Sequence, residues 1–269
     1  MISEEMVGWK NVPQLYNINQ KLKEIPPLYY INLDRRPDRN DNIKIISDIM
    51  EITPHRVKAT DYQTDNLDEL VITSPSRLKP QELACTISHL RAIQHWYNTS
   101  DSETALICED DLSIESVVLW PFTWKEFEKT LPNYWDIVQL CIIYDPRYQM
   151  TINLHRRSMF DYSATCYLIK RSYAKKLLSM YWMEEEKRWK IDDIPLSLAM
   201  TSEETIYNPG VCLSIPLFTY TNSHGSDIQM PEHLHQIHKK SKEYVLDALQ
   251  RITPQFRIEA IYPPIIYKL

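Results

Sequence analysis

Between Thr104 and Asp111 the chain reads TALICEDD, an apolar run that breaks abruptly into three consecutive carboxylates. A short apolar run bounded in this way is a buried strand, and it forces a charge-dense edge onto the strand's carboxyl end. Successive side chains of an extended strand point to opposite faces, which places Glu109 and Asp111 on one side and Asp110 on the other. Carboxylates crowded together repel one another unless a cation lies among them. Glu109 and Asp111 are therefore candidate ligands of one hard divalent ion, Mn2+ or Mg2+. Such ions suit oxygen donors and are commonly held by one or two carboxylates plus substrate phosphates. Acidic triplets also occur as solvated loops after core strands, so the reading depends on what else the chain brings to the same place.

The remainder of the sequence supplies company for that edge. Leu28 to Leu33 reads as a strand, followed by a helix from about Pro37 to Met50 with Ile43, Ile46 and Ile49 at helical spacing. A second strand, His55 to Thr60, precedes a helix from Gln81 to Tyr97 introduced by Lys79-Pro80. Ile137 to Ile143 and Ala164 to Ile169 read as further strands, the latter followed by a helix from Arg171 to Met180. Alternation of this kind predicts an α/β fold, a Rossmann-like mixed sheet flanked by helices, with ligands collected at the carboxyl ends of its strands. Leu33-Asp34, Thr60-Asp61 and Glu109 to Asp111 all fall at such ends. Residues 1–27, closing on Pro26-Pro27, read as an N-terminal extension, and 28–269 as a single domain.

Composition removes several alternatives. Only three glycines occur, none in GxGxxG or GxxxxGK[ST], so neither a dinucleotide fingerprint nor a P-loop is present. A net charge of −6 argues against a broad nucleic-acid footprint, so any basic site must be local. No apolar run approaches the roughly 18 residues that span a bilayer, and the polar N-terminus lacks the pattern of a signal peptide. These features predict a soluble, cytoplasmic chain, with peripheral attachment to a membrane left open. Five cysteines without CxxC spacing, mostly inside apolar segments, read as buried free thiols. His233 and His235, two apart on one predicted helix, diverge too far to share a zinc ion easily, no cysteine lies nearby, and with His238 they read as a solvated face.

Three segments, YINLDRRPDR at Tyr30 to Arg39, QELACTISHLRAIQHW at Gln81 to Trp96 and LICEDD at Leu106 to Asp111, resemble the family 25 glycosyltransferases. That family includes bacterial lipooligosaccharide galactosyltransferases and collagen hydroxylysine galactosyltransferases. The resemblance covers roughly Leu28 to Ile228. It implies a GT-A fold, a nucleotide-sugar donor carrying UDP, a glycan or glycoprotein acceptor, and Mn2+ or Mg2+. Carried over by position, Glu109, Asp110 and Asp111 match the family's acidic motif, the counterpart of the DxD signature. Glu stands where that signature has its first Asp, which leaves open whether Glu109 touches the ion directly or through water. Asn32, Leu33, Arg35 and Arg39 would border the nucleotide, although Arg35 also fits an exposed helix-start charge. Thr60 and Asp61 would contact base or ribose, or form a plain turn.

Ser88 and His89 match the family's SH pair. The resemblance makes His224 a further metal ligand and lets the loop at Gly225 and Ser226 approach the diphosphate. Asp192, or its neighbour Asp193, would be the base that deprotonates an acceptor hydroxyl in an inverting, in-line transfer. Two rival classes remain at this stage. A sugar-nucleotide or glycan-binding module would keep the fold without turnover, and a metal-dependent nuclease or nucleotidyltransferase would also pair carboxylates, against the acidic charge.

Overall fold

Leu28–Asn32 is buried at every position because both faces of the strand are covered, which is why it is apolar from Leu28 to Ile31 instead of alternating. The computed structural model describes residues 13–72, 77–143, 152–158, 161–191, 211–221, 232–252 and 260–261. In chain order the strands are β1 (Leu28–Asn32), β2 (His55–Lys58), β3 (Thr104–Glu109), β4 (Leu112–Ser113), β5 (Ile137–Cys141), β6 (Leu154–Arg156), β7 (Cys166–Lys170), β8 (Trp182–Met183), β9 (Arg188–Trp189), β10 (Cys212–Tyr220) and β11 (Ala260–Ile261). The helices are α1 (Pro13–Leu22), α2 (Pro37–Met50), α3 (Leu67–Leu70), α4 (Pro80–Thr99), α5 (Trp124–Glu128), α6 (Arg171–Tyr181) and α7 (Glu232–Gln250), with a 3-10 turn at Glu115–Leu119.

Among the described residues one mixed sheet holds nearly all the strands, in the order β11-β6-β10-β5-β7-β3-β1-β2, with β4 paired to β10 and only the β8-β9 hairpin apart. β1 runs parallel to β2 and β3, and β10 runs parallel to β5. Antiparallel β7 joins the two parallel blocks by pairing with β3 on one side and β5 on the other. The chain leaves β1 for β2 on one flank and comes back to β3 on the opposite flank. Connections that diverge from neighbouring parallel strands open a crevice at their carboxyl ends.

Alternation along the strands divides the core in two. Leu28, Tyr30, Leu106 and Cys108 belong to the face packed with Ile18 of α1, Ile43 of α2 and Val245 of α7. Tyr29, Ile31, Ala105 and Ile107 belong to the face packed with Ile87 and Ile93 of α4 and Ala174 of α6. The result is the Rossmann-like layering of helices on both sides of a sheet. The helices start where local chemistry dictates. Pro37 and Pro80 occupy first-turn positions, and the Glu82 carboxylate accepts from the Lys79 backbone N–H at 2.8 Å to close the α4 entrance.

Two features go beyond the sequence expectations. The segment read as an extension contains α1, whose Ile18 and Leu22 are buried in the core beside α2 and the 3-10 turn. The nine buried residues of β10 form a central strand despite Pro216, which lacks the ladder donor. Its pairing with β5 shifts register between Ser214 and Phe218, and the Leu217 carbonyl accepts instead from Ser116 Oγ at 2.7 Å and Trp120 Nε1 at 3.1 Å.

Because Ile18 is fully buried, Ile18→Ala is expected to lower the unfolding free energy by about 2–5 kcal/mol in urea denaturation. A change within about 0.5 kcal/mol would make α1 a detachable appendage instead.

Candidate functional site

The pleat of β3 distributes its terminal carboxylates. Glu109 stands opposite Ile31 in the β1 register, and its N–H donates to the Thr165 carbonyl at 2.8 Å. Following the odd-numbered residues of β3, its side chain meets α4, where His89 Nε2 lies 3.2 Å from Glu109 Oε1. The other ring nitrogen of His89 is 3.2 Å from the Tyr167 hydroxyl, and the ring itself is buried.

Asp110 follows the even-numbered residues to the α2 side. Asn32 Nδ2 donates to one of its oxygens at 2.8 Å and Arg39 to the other at 2.9 Å. Asn42 Nδ2 donates to the Asp110 and Leu112 carbonyls at 3.2 and 3.1 Å, fixing the turn that follows the strand. Asp111 is held through its backbone, its carbonyl accepting from Thr221 N–H at 2.7 Å as the chain enters β4. Its Oδ1 atom is buried with no hydrogen-bond partner among the described residues.

The other two strand ends reach the same crevice. Arg56 of β2 donates to Asn32 Oδ1 at 2.9 Å and to Asp34 at 2.7 Å, and Lys58 pairs with Asp34 at 2.8 Å. Arg35 Nε donates to Asp61 at 2.8 Å, while the other Asp61 oxygen accepts from Gln63 N–H at 3.0 Å in an Asx turn. Ser88 Oγ accepts from Thr60 N–H at 2.8 Å and donates to the Ala84 carbonyl at 2.7 Å, tying α4 to the end of β2. Thr60 Oγ1 accepts from Arg91 at 3.1 Å. Leu33 packs on the α4 face. The structure thus links Asn32, Leu33, Arg35, Arg39, Thr60, Asp61, Ser88, His89 and Glu109 to Asp111 in one neighbourhood. Asp192, Asp193, His224, Gly225 and Ser226 lie outside the described residues. Arg56, Lys58 and Arg91 line a recess of about 400 Å3 beside this network, a local basic patch on an acidic chain.

The electrostatics are uneven. Burial pushes Asp111 up to about 8, reinforced by the nearby Glu109 charge. Burial works against Glu109 as well, but the hydrogen bond and charge of His89 hold its carboxyl below the ordinary range. Asp110 is raised by burial despite Arg39 and Asn32. An ionised Glu109 beside a half-buried Asp111 that resists ionisation is an arrangement that a divalent cation would relieve. The oxygen donors fit Mn2+ or Mg2+, and the unpartnered Asp111 Oδ1 offers such an ion a buried, pre-desolvated ligand.

Several participants escaped the sequence reading. Asn42, Arg56 and Tyr167 carried no motif signal. Cys85, read only as a thiol, lies one turn before His89 on α4, and its sulfur, the His89 ring and the Glu109 carboxylate present atoms within 4.8 Å of one another. His238, read as part of a solvated helix face, instead has its ring 5.5 Å from that of Tyr220, whose hydroxyl donates to the His238 carbonyl. Its charge also bears on Glu109. All five cysteines are free thiols, four of them buried.

A mixed sheet whose parallel strands end in a polar, acid-lined crevice has the layout of an enzyme that handles charged substrates there. The chain matches the family model of glycosyltransferase family 25 (LPS biosynthesis protein) over residues 25–194, more than half its length. It belongs to that family and is a glycosyltransferase, with a sugar donor and a glycan acceptor as its substrate classes. No curated protein matches the sequence. Among solved structures, the inositol-1-phosphate CTP transferase from T. maritima is similar over 79% of this chain and 76% of its own. At 12% identity and a TM-score of 0.33 that likeness is too loose to argue from. No helix among the described residues is long and apolar enough to cross a membrane.

Two outcomes follow from the charges. In the metal-free protein the folded state keeps the Asp111 proton up to about pH 8, whereas the unfolded chain releases it near 3.8, so stability falls as pH rises between those values. Asp111→Asn is expected to raise the metal-free Tm at pH 8 and to change it little at pH 4, both read by calorimetry. Arg39→Met strands the buried Asp110 carboxylate with Asn32 alone and is expected to cost about 3–5 kcal/mol in urea unfolding.

Proposed function

We propose that this chain is a metal-dependent GT-A glycosyltransferase that moves a hexose, galactose or glucose, from a UDP-sugar to a hydroxyl of a glycan or glycoprotein, with inversion at the sugar carbon. The observation that carries this reading is the buried, unpartnered Asp111 oxygen beside Glu109 at the mouth of the β1/β3 crevice, in a chain of this family. The GT-A assignment is supported by two parallel blocks joined through one antiparallel strand.

Bound by Asp111 and Glu109, with His224 as a further ligand, Mn2+ or Mg2+ would neutralise the departing diphosphate, a contribution on the order of several kcal/mol in Lewis-acid catalysis. The remaining tasks fall to the chain's own groups. His89, steadied by Tyr167, keeps Glu109 ionised and aimed into the crevice. Arg39 and Asn32 hold Asp110, and with it the turn that presents Asp111. Arg35, about one-third exposed, would exchange its Asp61 contact for a donor phosphate or ribose oxygen. Gly225 and Ser226 are assigned to the diphosphate, and Asp192 or Asp193 to removal of the acceptor proton as its oxygen attacks.

A screen of UDP-sugars for Mn2+-dependent UDP release tests the reading. Release is expected with a UDP-hexose and lost on chelation, with Asp111→Ala lowering kcat/KM by roughly a hundredfold or more. Turnover indifferent to Asp111→Ala would overturn it.

A further inference from the structure

The face of α4 turned toward Glu109 carries donors that a hard-metal site does not require. Cys85 and His89 are four residues apart on a regular helix, so both project on one side of it. The Cys85 sulfur, a His89 ring nitrogen and a Glu109 oxygen all lie within 4.8 Å of one another. Two ligands of one tetrahedral zinc ion stand roughly 3.4–3.6 Å apart, given Zn–S near 2.3 Å and Zn–N or Zn–O near 2.0–2.2 Å. The His89 Nε2 to Glu109 Oε1 distance of 3.2 Å is already close to that spacing. The cluster is thus within about 1.5 Å of that spacing at every pair.

A second observation concerns the histidine alone. Its Nδ1 faces the Tyr167 hydroxyl at 3.2 Å, and Tyr167 is buried on β7, so the ring is fixed with Nε2 directed at Glu109. An outer hydrogen bond to the far ring nitrogen is the usual way a ligating histidine has its tautomer and orientation set. Cys85 is only half-buried, unlike the four other thiols; burial and the neighbouring Glu109 and Asp111 charges push its thiol up, so the thiolate forms only with the cation in place.

We propose that Cys85, His89 and Glu109 form a zinc site, separate from the Glu109–Asp111 pair but sharing Glu109 with it, through which Zn2+ inhibits the enzyme. The mixed sulfur, nitrogen and oxygen donors select zinc over Mn2+ or Mg2+, which favour oxygen. Three protein ligands leave a fourth position to water or to Asp111. On binding, the Cys85 thiol gives up its proton to solvent and the thiolate takes its place on the ion. Glu109 is then held on α4 by the zinc ion, and the donor's cation loses one of its two carboxylates. The inhibition rests on the function proposed above; the zinc site itself does not.

Cobalt substitution separates the two. Purified full-length protein titrated with Co2+ is expected to develop the near-ultraviolet absorption of a thiolate–cobalt bond, to lose it on stoichiometric Zn2+, and never to show it in Cys85→Ser. Circular dichroism checks that Cys85→Ser stays folded. Tyr167→Phe keeps the packing but removes the hydroxyl that orients His89, and is expected to weaken cobalt binding about tenfold or more. In the Mn2+-supported transfer assay, Zn2+ should inhibit the wild type and spare Cys85→Ser. Absence of the cobalt band, or its persistence in Cys85→Ser, overturns the site. A band that behaves as expected in a protein that releases no UDP from any donor would support the site and count against the UDP-sugar reading.

Discussion

The Asp110 carboxylate, held by Asn32 from the end of β1 and Arg39 from α2, is the contact on which the crevice depends. It joins the first strand, the first long helix and the acidic strand end at one buried point. Through Asn32 the network continues to Arg56 on β2, and through Arg56 to Asp34. A buried charge of this kind adds little net stability, because desolvation offsets much of the attraction, yet it tolerates few alternative arrangements. Its effect is to fix where Glu109 and Asp111 face. The middle acid of the triplet is thus spent on structure, which frees its two neighbours for chemistry.

The two neighbours differ because their surroundings differ. Glu109 is drawn toward His89 and stays ionised, whereas Asp111, half-buried but with its Oδ1 shut away from solvent and unpartnered among the described residues, keeps its proton far above the ordinary carboxylate range. Carboxylates two positions apart have been given opposite electrostatic settings by the elements packed against them. Such a pair waits for a cation in a way that a solvated acidic loop would not. The same α4 face that steadies Glu109 also brings a thiol to it, so one carboxylate serves two sets of donors of different softness.

The strand alternation in TALICEDD was legible because both faces of β3 are buried, so its apolar run ends only where the crevice begins. Helices α2, α4 and α6 were legible to within two residues, since long periodic segments with Pro or charge at their starts leave little choice. Shorter pieces were not. β4 and the β8-β9 hairpin offer two residues per strand, too few for a period to exist, and β10 hides behind Pro216, whose missing donor the fold accommodates with a register shift. The role of α1 was equally hidden, because an amphipathic ten-residue helix does not say what it packs against.

At the site, the sequence by itself determined which residue types stand at the ends of the strands, and its three motifs determined the family. Local spacing is a property of the chain, and the two-residue period of a strand turns it directly into a choice of face. Tertiary structure alone decided the partners: that Asp110 is gripped from α2, that Asp61 is closed into a turn with Arg35, that Ser88 braces β2, and that Cys85 joins His89 at Glu109. Those pairings bridge residues 20 to 71 positions apart in the chain, so they exist only once the sheet has brought the strand ends together.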